Sequence, residues 1–143
     1  MRYFNLREMY ASTKANENNI DNTPPLEVKA HLVELVDNLL DPLREAWGSA
    51  INVTSGYRCK VLNTLVGGAP TSAHLSGYAA DLFPTNKKIR EFKQFVVKWL
   101  KENNIQFDQC ICETNSKGAQ WVHLGLKGSN GRQRKMILNM NVV

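Results

Sequence analysis

Ser72-Ala73-His74-Leu75-Ser76-Gly77-Tyr78-Ala79-Ala80-Asp81 is the stretch on which the reading of this chain turns. His74 and Asp81 are separated by a span of roughly 23 Å if the backbone between them is fully extended. Side chains that share one metal ion must lie within a few ångströms of each other, so the chain has to fold back between them. Gly77 supplies the backbone freedom for that bend. Beyond it, Tyr78 to Phe83 reads as a strand ending at Pro84, with Asp81 and the small Ala79 on one face.

The answering stretch lies downstream, at Gln120 to Lys127. Val122, Leu124 and Leu126 alternate onto one face, which suits packing against helices, and Trp121, His123 and Gly125 take the other. An imidazole between an aromatic wall and an empty glycine position marks a cleft. His74, Asp81 and His123 together are the ligand set of a catalytic zinc ion with a position left open for water. Their convergence predicts a hydrolase holding one Zn2+ ion. Taken singly, either histidine is more often an ordinary hydrogen-bonding residue, and it is the set that carries the expectation. His31, beside the apolar stripe of the first long helix, is expected to be structural or exposed.

Outward from these stretches, the chain reads as helices first and strands later. Residues 1–25 are the least committed part, in which Phe4, Leu6, Met9 and Tyr10 could dock a short helix. Val28, Leu32, Leu35, Val36, Leu39, Leu40 and Leu43 recur at the helical period and predict one long helix closed by Trp47 and Gly48. Ile51 to Thr54 reads as a short strand ending at the turn Ser55-Gly56-Tyr57-Arg58, and Lys60 to Leu65 as a short helix. Thr85 or Asn86 should cap a second amphipathic helix with the apolar face Ile89, Phe92, Phe95, Val96, Trp99 and Leu100. Strands are expected over about Phe107 to Glu113 and Gln120 to Lys127, with a last one near Lys135 to Met140. The pattern predicts an α+β fold, a small and mainly antiparallel sheet with helices packed on one face.

Composition bounds the rest. A chain of 143 residues with 43% hydrophobic and 22% charged residues fits a single globular domain over 1–143. One of that length buries roughly 68% of its unfolded surface. No apolar run approaches the ~18 residues of a membrane span. Met1 to Glu8 carries no signal-peptide core, which leaves localisation open between release from the cytoplasm and action at a cell envelope. The net charge of +5 suits an anionic partner. Without a recognised motif or interleaved aromatics, it does not point to nucleic acid. Cys59, Cys110 and Cys112 cannot form a complete disulfide framework, and all three read as small, partly buried thiols.

Ser72-x-His74-x-x-Gly77-x-Ala79-x-Asp81, preceded by Ser55-Gly56-Tyr57-Arg58 and followed by Trp121-x-His123, resembles the zinc D-Ala-D-Ala peptidase family. That family includes bacterial D,D-carboxypeptidases, the D-Ala-D-Ala dipeptidases of vancomycin resistance and phage endolysins that cut L-alanyl-D-glutamate bonds. Phe107-Asp108-Gln109 before Glu113 is similar to its carboxypeptidase-like branch of bacteria and phages. The likeness runs from about Ser55 to Leu126. It implies a fold shared with the zinc-binding signalling domain of Hedgehog proteins, and zinc held by His74, Asp81 and His123. It implies a peptidoglycan peptide as substrate, and a chain of this kind is expected to act as a monomer. Arg58 matches an arginine that faces the substrate's carbonyl or carboxylate, or else it pins the Gly56 turn. Ser72 and Trp121 are expected against the substrate, although Ser72 could equally bond the hairpin backbone.

Other members place a carboxylate or histidine three residues before the last zinc ligand, and here that position is Gln120. Glu113, at the end of the preceding strand, is the expected general base, with Asp108 the weaker alternative and a solvated strand-end glutamate the plain one. The expected activity is D-Ala-D-Ala carboxypeptidase, followed by L-alanyl-D-glutamate endolysin. A non-catalytic zinc-stabilised binding domain is the alternative that Gln120 keeps open.

Overall fold

The 3.6-residue recurrence of leucine and valine builds the largest helical element of the protein. In the computed structural model, which describes residues 1–139, it follows α1 (Thr13–Glu17) and runs as α2 (Leu26–Leu35) and α3 (Asp41–Trp47). The expected single helix is therefore continuous in direction but not in hydrogen bonding, because a π-helical turn over Val36–Leu40 joins the two parts. Pro42 explains the turn: it has no N–H to donate to the carbonyl four residues back. The Asp41 N–H reaches the Val36 carbonyl instead, five residues back, and the widened turn absorbs the missing bond.

The remaining elements are β1 (Ile51–Ser55), α4 (Lys60–Leu65), β2 (Ala79–Pro84), α5 (Ile89–Glu102), β3 (Gln109–Thr114), β4 (Gln120–Gly125) and β5 (Met136–Leu138). α5 starts later than Thr85 or Asn86 would place it. Lys87 takes a left-handed φ of 65°, which breaks the helical path, and the Asn86 side chain accepts from the Lys88 N–H at 3.0 Å as a turn. The last strand falls within the expected range, whose final residue, Met140, lies outside the described residues.

The five strands form one sheet in the order β1-β2-β4-β3-β5. β1 with β2, β2 with β4 and β3 with β4 pair antiparallel, and the short β5 lies parallel to β3. The fold is α+β with its helices against one face of the sheet. Ala80 and Leu82 of β2, Val122 and Leu124 of β4 and Cys110 of β3 turn to that face. They meet Leu32, Leu35, Leu39 and Leu43 of the first helix pair and Phe92, Val96 and Leu100 of α5 in one buried cluster. The opposite face carries Asp81, His123 and Glu113, which line a cleft.

The N-terminal residues are part of this body. Phe4 and Met9 are buried, and the Met1 amino group bonds Asp37 Oδ1 at 2.7 Å. The Met9 carbonyl accepts from the Tyr57 N–H at 2.8 Å, which draws residues 7–9 across the turn after β1. A side chain at Gly56 has no room there, since its Cβ would stand 2.0 Å from the Met9 carbonyl oxygen. Gly56→Ala is expected to lower stability by about 1–3 kcal/mol, the usual range for forcing extra atoms into a packed interior. A thermal melt reads the loss directly, and an unchanged midpoint means the two segments part without cost.

Candidate metal centre

β2 and β4 are neighbours in the sheet, and their register sets Asp81 directly opposite His123. Directly paired residues have Cα atoms about 4.5–5.5 Å apart and side chains on the same face, so the two groups meet by strand pairing alone. His74 comes from a short 3-10 turn, Ala73–Ser76, that precedes β2. Gly77 ends that turn with φ 80°, a left-handed conformation that L side chains rarely adopt, and the chain folds back there as its sequence requires.

Four contacts hold the His74 turn in place. The His74 N–H bonds Ser72 Oγ at 3.2 Å, and its carbonyl accepts from the Arg58 N–H at 3.1 Å. Ring atom Nδ1 bonds the Gly56 carbonyl at 2.7 Å. Behind the turn, His31 Nδ1 bonds the Ser76 carbonyl at 2.7 Å, and its ring stacks on Tyr78 with centroids 4.3 Å apart. Of the two expectations for Ser72, the bond to the hairpin backbone is present, and the residue also lines the cleft.

The contact to Gly56 decides the chemistry of the His74 ring. A carbonyl oxygen only accepts, so Nδ1 carries the proton and Nε2 presents a lone pair to the centre. There, Nε2 lies 3.2 Å from Asp81 Oδ1 and 3.2 Å from His123 Nδ1, and the latter two atoms are 3.1 Å apart. All three residues are buried, with exposures of 2%, 8% and 7% for His74, Asp81 and His123. Burial pushes the Asp81 carboxyl up, but the neighbouring His123 and His74 outweigh it and hold the acid well below the usual carboxylate range. Asp81 is therefore an anion at neutral pH.

The donor set fits a zinc ion. Tetrahedral coordination with Zn–N and Zn–O distances of about 2.0–2.1 Å separates neighbouring ligand atoms by roughly 3.3–3.4 Å. The observed triangle has edges of 3.1–3.2 Å. Among the described residues this is the one group of three such side chains whose ligand atoms converge. The cysteines stand apart from it: all three are free, and Cys110 and Cys112 are buried.

Around the triangle runs a cleft of about 710 Å³. Glu113, paired with Trp121 across the β3–β4 hairpin, places Oε1 3.8 Å from His123 Nδ1. Burial, reinforced by the charge of Asp81, raises the Glu113 carboxyl above the ordinary glutamate range against the pull of His123. Arg58 lines the same cleft half-buried. Burial lowers its guanidinium, while the charges of Asp81 and Glu113 act to raise it. Arg58 Nε and Trp121 Nε1 are buried N–H donors without a hydrogen-bond partner in the protein. The Trp121 side chain also stands close enough to Glu113 to counter part of that carboxyl's rise.

Two further residues stand differently from the plain reading of the sequence. Gln120 does not face the centre. Its Oε1 accepts from the fully buried Lys93 of α5 at 2.6 Å, on the helix side of the sheet. Asp108 is bound at both oxygens by Arg134, Nε to Oδ1 at 2.8 Å and Nη2 to Oδ2 at 2.9 Å, which holds its carboxyl below the usual range. A carboxylate so occupied is a poor base, and Glu113 is the carboxylate that lies beside the triangle.

Comparison with known protein families matches residues 2–124 to Peptidase M15. The chain belongs to the peptidase M15 family. No curated protein matches it. The matched span contains the whole triangle, Arg58, Glu113 and Trp121, so this peptidase M15 chain carries all of these within the part it has in common with its family. It stops short of Gly128, Ser129 and Arg134, which complete the cleft wall. Asp108–Arg134 and Lys93–Gln120 were invisible to sequence reading, because each joins residues on different elements with no local pattern to announce them. No helix among the described residues is long and apolar enough to cross a membrane.

Proposed function

We propose that the protein is a zinc-dependent peptidase that hydrolyses peptide bonds of the bacterial cell wall. Its first substrate class is a stem peptide cut at its D-Ala-D-Ala end, and L-alanyl-D-glutamate is the next candidate bond. One observation carries the reading: in a peptidase M15 chain, His74 Nε2, Asp81 Oδ1 and His123 Nδ1 form a buried triangle with edges of 3.1–3.2 Å. These three side chains would hold one zinc ion. When bound, zinc supplies Lewis acidity, lowering the pKa of water and polarising a carbonyl.

The remaining work falls to the chain's own residues. Glu113 takes a proton from the attacking water at its carboxylate and delivers it to the leaving amine, a role suited by its raised pKa and its place beside His123. Arg58, which lines the cleft, offers its guanidinium to the substrate carbonyl or carboxylate, where it stays charged and forms charge-assisted bonds. Trp121 offers an apolar wall. The Gly56 carbonyl, by fixing the His74 tautomer, keeps Nε2 aimed at the centre.

Gln120 loses its force as an objection to catalysis, since its side chain lies on the other side of the sheet and serves Lys93. The test begins with zinc content of the purified protein, followed by mass spectrometry of peptidoglycan fragments after digestion, with and without chelator. About one zinc per chain and released D-alanine or peptide fragments, both lost on chelation and regained with zinc, are expected. Zinc retained without turnover on any cell-wall peptide overturns the reading in favour of a non-catalytic, zinc-stabilised binding domain.

A further inference from the structure

The far wall of the cleft is built by a segment that lies beyond the family match. After β4 the chain runs Leu126-Lys127-Gly128-Ser129-Asn130-Gly131-Arg132-Gln133-Arg134-Lys135 and then enters β5, which pairs with β3. Four of those residues are basic and none is acidic. Asp108, at the edge of β3, organises the segment: it accepts from the Arg134 backbone N–H at 3.1 Å as well as from Nε and Nη2. Gly128 passes so close that a Cβ there would stand 2.6 Å from Asp108 Oδ2. Asp108 is almost wholly buried, with its side chain 2% exposed, whereas Arg134 remains 41% exposed in the cleft wall.

The pair therefore does more than close a loop. A bidentate carboxylate clamp locks the guanidinium plane in one orientation. With Nε and Nη2 turned to Asp108, the Nη1 end of the guanidinium points away from the clamp, and Arg134 lines the cleft. The position of Asp108 relative to the centre follows from register. Ile111 pairs with His123, and Asp108 lies three residues before Ile111, roughly 10 Å along an extended strand. The charge also changes along the cleft, with Asp81 and Glu113 at the centre and Arg134 at this end.

We infer that Arg134, clamped by Asp108, is a specificity site for a carboxylate carried by the substrate about three residues from the reacting bond. The inference rests on the reading of the protein as a cell-wall peptidase and names the feature of the substrate that it selects. A stem peptide reacting at its D-alanyl end carries the free α-carboxylate of its γ-linked D-glutamate two residues back, at a comparable extended distance. Amidation of that carboxylate removes the charge while keeping the shape, so it removes the charge-assisted bond that Arg134 would make.

The test compares kcat/KM on two matched stem peptides, one with the D-glutamate α-carboxylate free and one with it as carboxamide, for the zinc-loaded wild type and Arg134→Gln. The wild type should prefer the free acid by roughly 10- to 100-fold, the worth of a hydrogen-bonded charge pair. Arg134→Gln should bring the ratio close to one. Because the ratio is taken within one preparation, loss of folded protein cancels. If Arg134→Gln does not fold, Arg134→Lys keeps a charge for Asp108 but loses the fork, and its ratio should fall between the two. A wild type that cuts both peptides equally, or a variant that keeps the wild-type ratio, overturns the inference and leaves the peptidase reading standing. A wild type that cuts neither peptide nor whole peptidoglycan overturns that reading, and this inference with it.

Discussion

Replacing His74 with alanine is expected to abolish zinc retention and to lower turnover by at least about a thousandfold, since Lewis-acid activation contributes several kcal/mol to such a reaction. The expectation follows from geometry. His74 Nε2 occupies one corner of a triangle whose other corners are an anionic carboxylate and a second imidazole. With that corner removed, two ligands remain, fewer than the three that a catalytic zinc site ordinarily uses. The variant also strips the Gly56 carbonyl of its partner, which adds a stability cost of about 1–3 kcal/mol. Zinc analysis by mass spectrometry and circular dichroism separate the two effects. A folded His74→Ala protein that still holds one zinc per chain shows that the metal sits elsewhere.

Glu113→Gln is expected to separate binding from chemistry. Glu113 Oε1 lies 3.8 Å from His123 Nδ1, outside the triangle of ligand atoms, so the substitution should leave zinc content and fold intact. Glutamine is nearly isosteric and cannot take a proton from water at neutral pH, and loss of a positioned general base costs roughly 10²- to 10⁴-fold. The loss should fall in kcat with KM little altered, because the carboxylate acts on water and leaving amine rather than on the resting peptide. A Glu113→Gln protein with wild-type kcat places the base on another group. Asp108 is a poor successor, with both oxygens bound by Arg134.

Much of the candidate site was legible because its signals are local. Strand alternation put Trp121 and His123 on the face opposite Val122 and Leu124, and a two-residue period needs only a few neighbours to be read. Gly77 between His74 and Asp81 announced a reversal, and its φ of 80° is that reversal. The π-helical turn before Pro42 lay within reach of the same logic, since a missing N–H must be absorbed somewhere. Gln120 was harder. Counting three residues back from His123 made it look like a defective catalytic position, yet strand parity already assigned it to the helix side, where Lys93 takes it up.

By itself the sequence determined the candidate ligand types, the α+β order of elements and the face on which each strand residue stands. Backbone sterics and side-chain periodicity act over a few residues and leave their mark in any short window. Only the tertiary structure decided that β2 and β4 are neighbours with Asp81 opposite His123, that the Gly56 carbonyl sets the His74 tautomer, and that Arg134 returns across 26 residues to Asp108. Those contacts depend on how the whole core packs at once, a balance of many small terms summed over distant segments, and no window of the chain contains that sum.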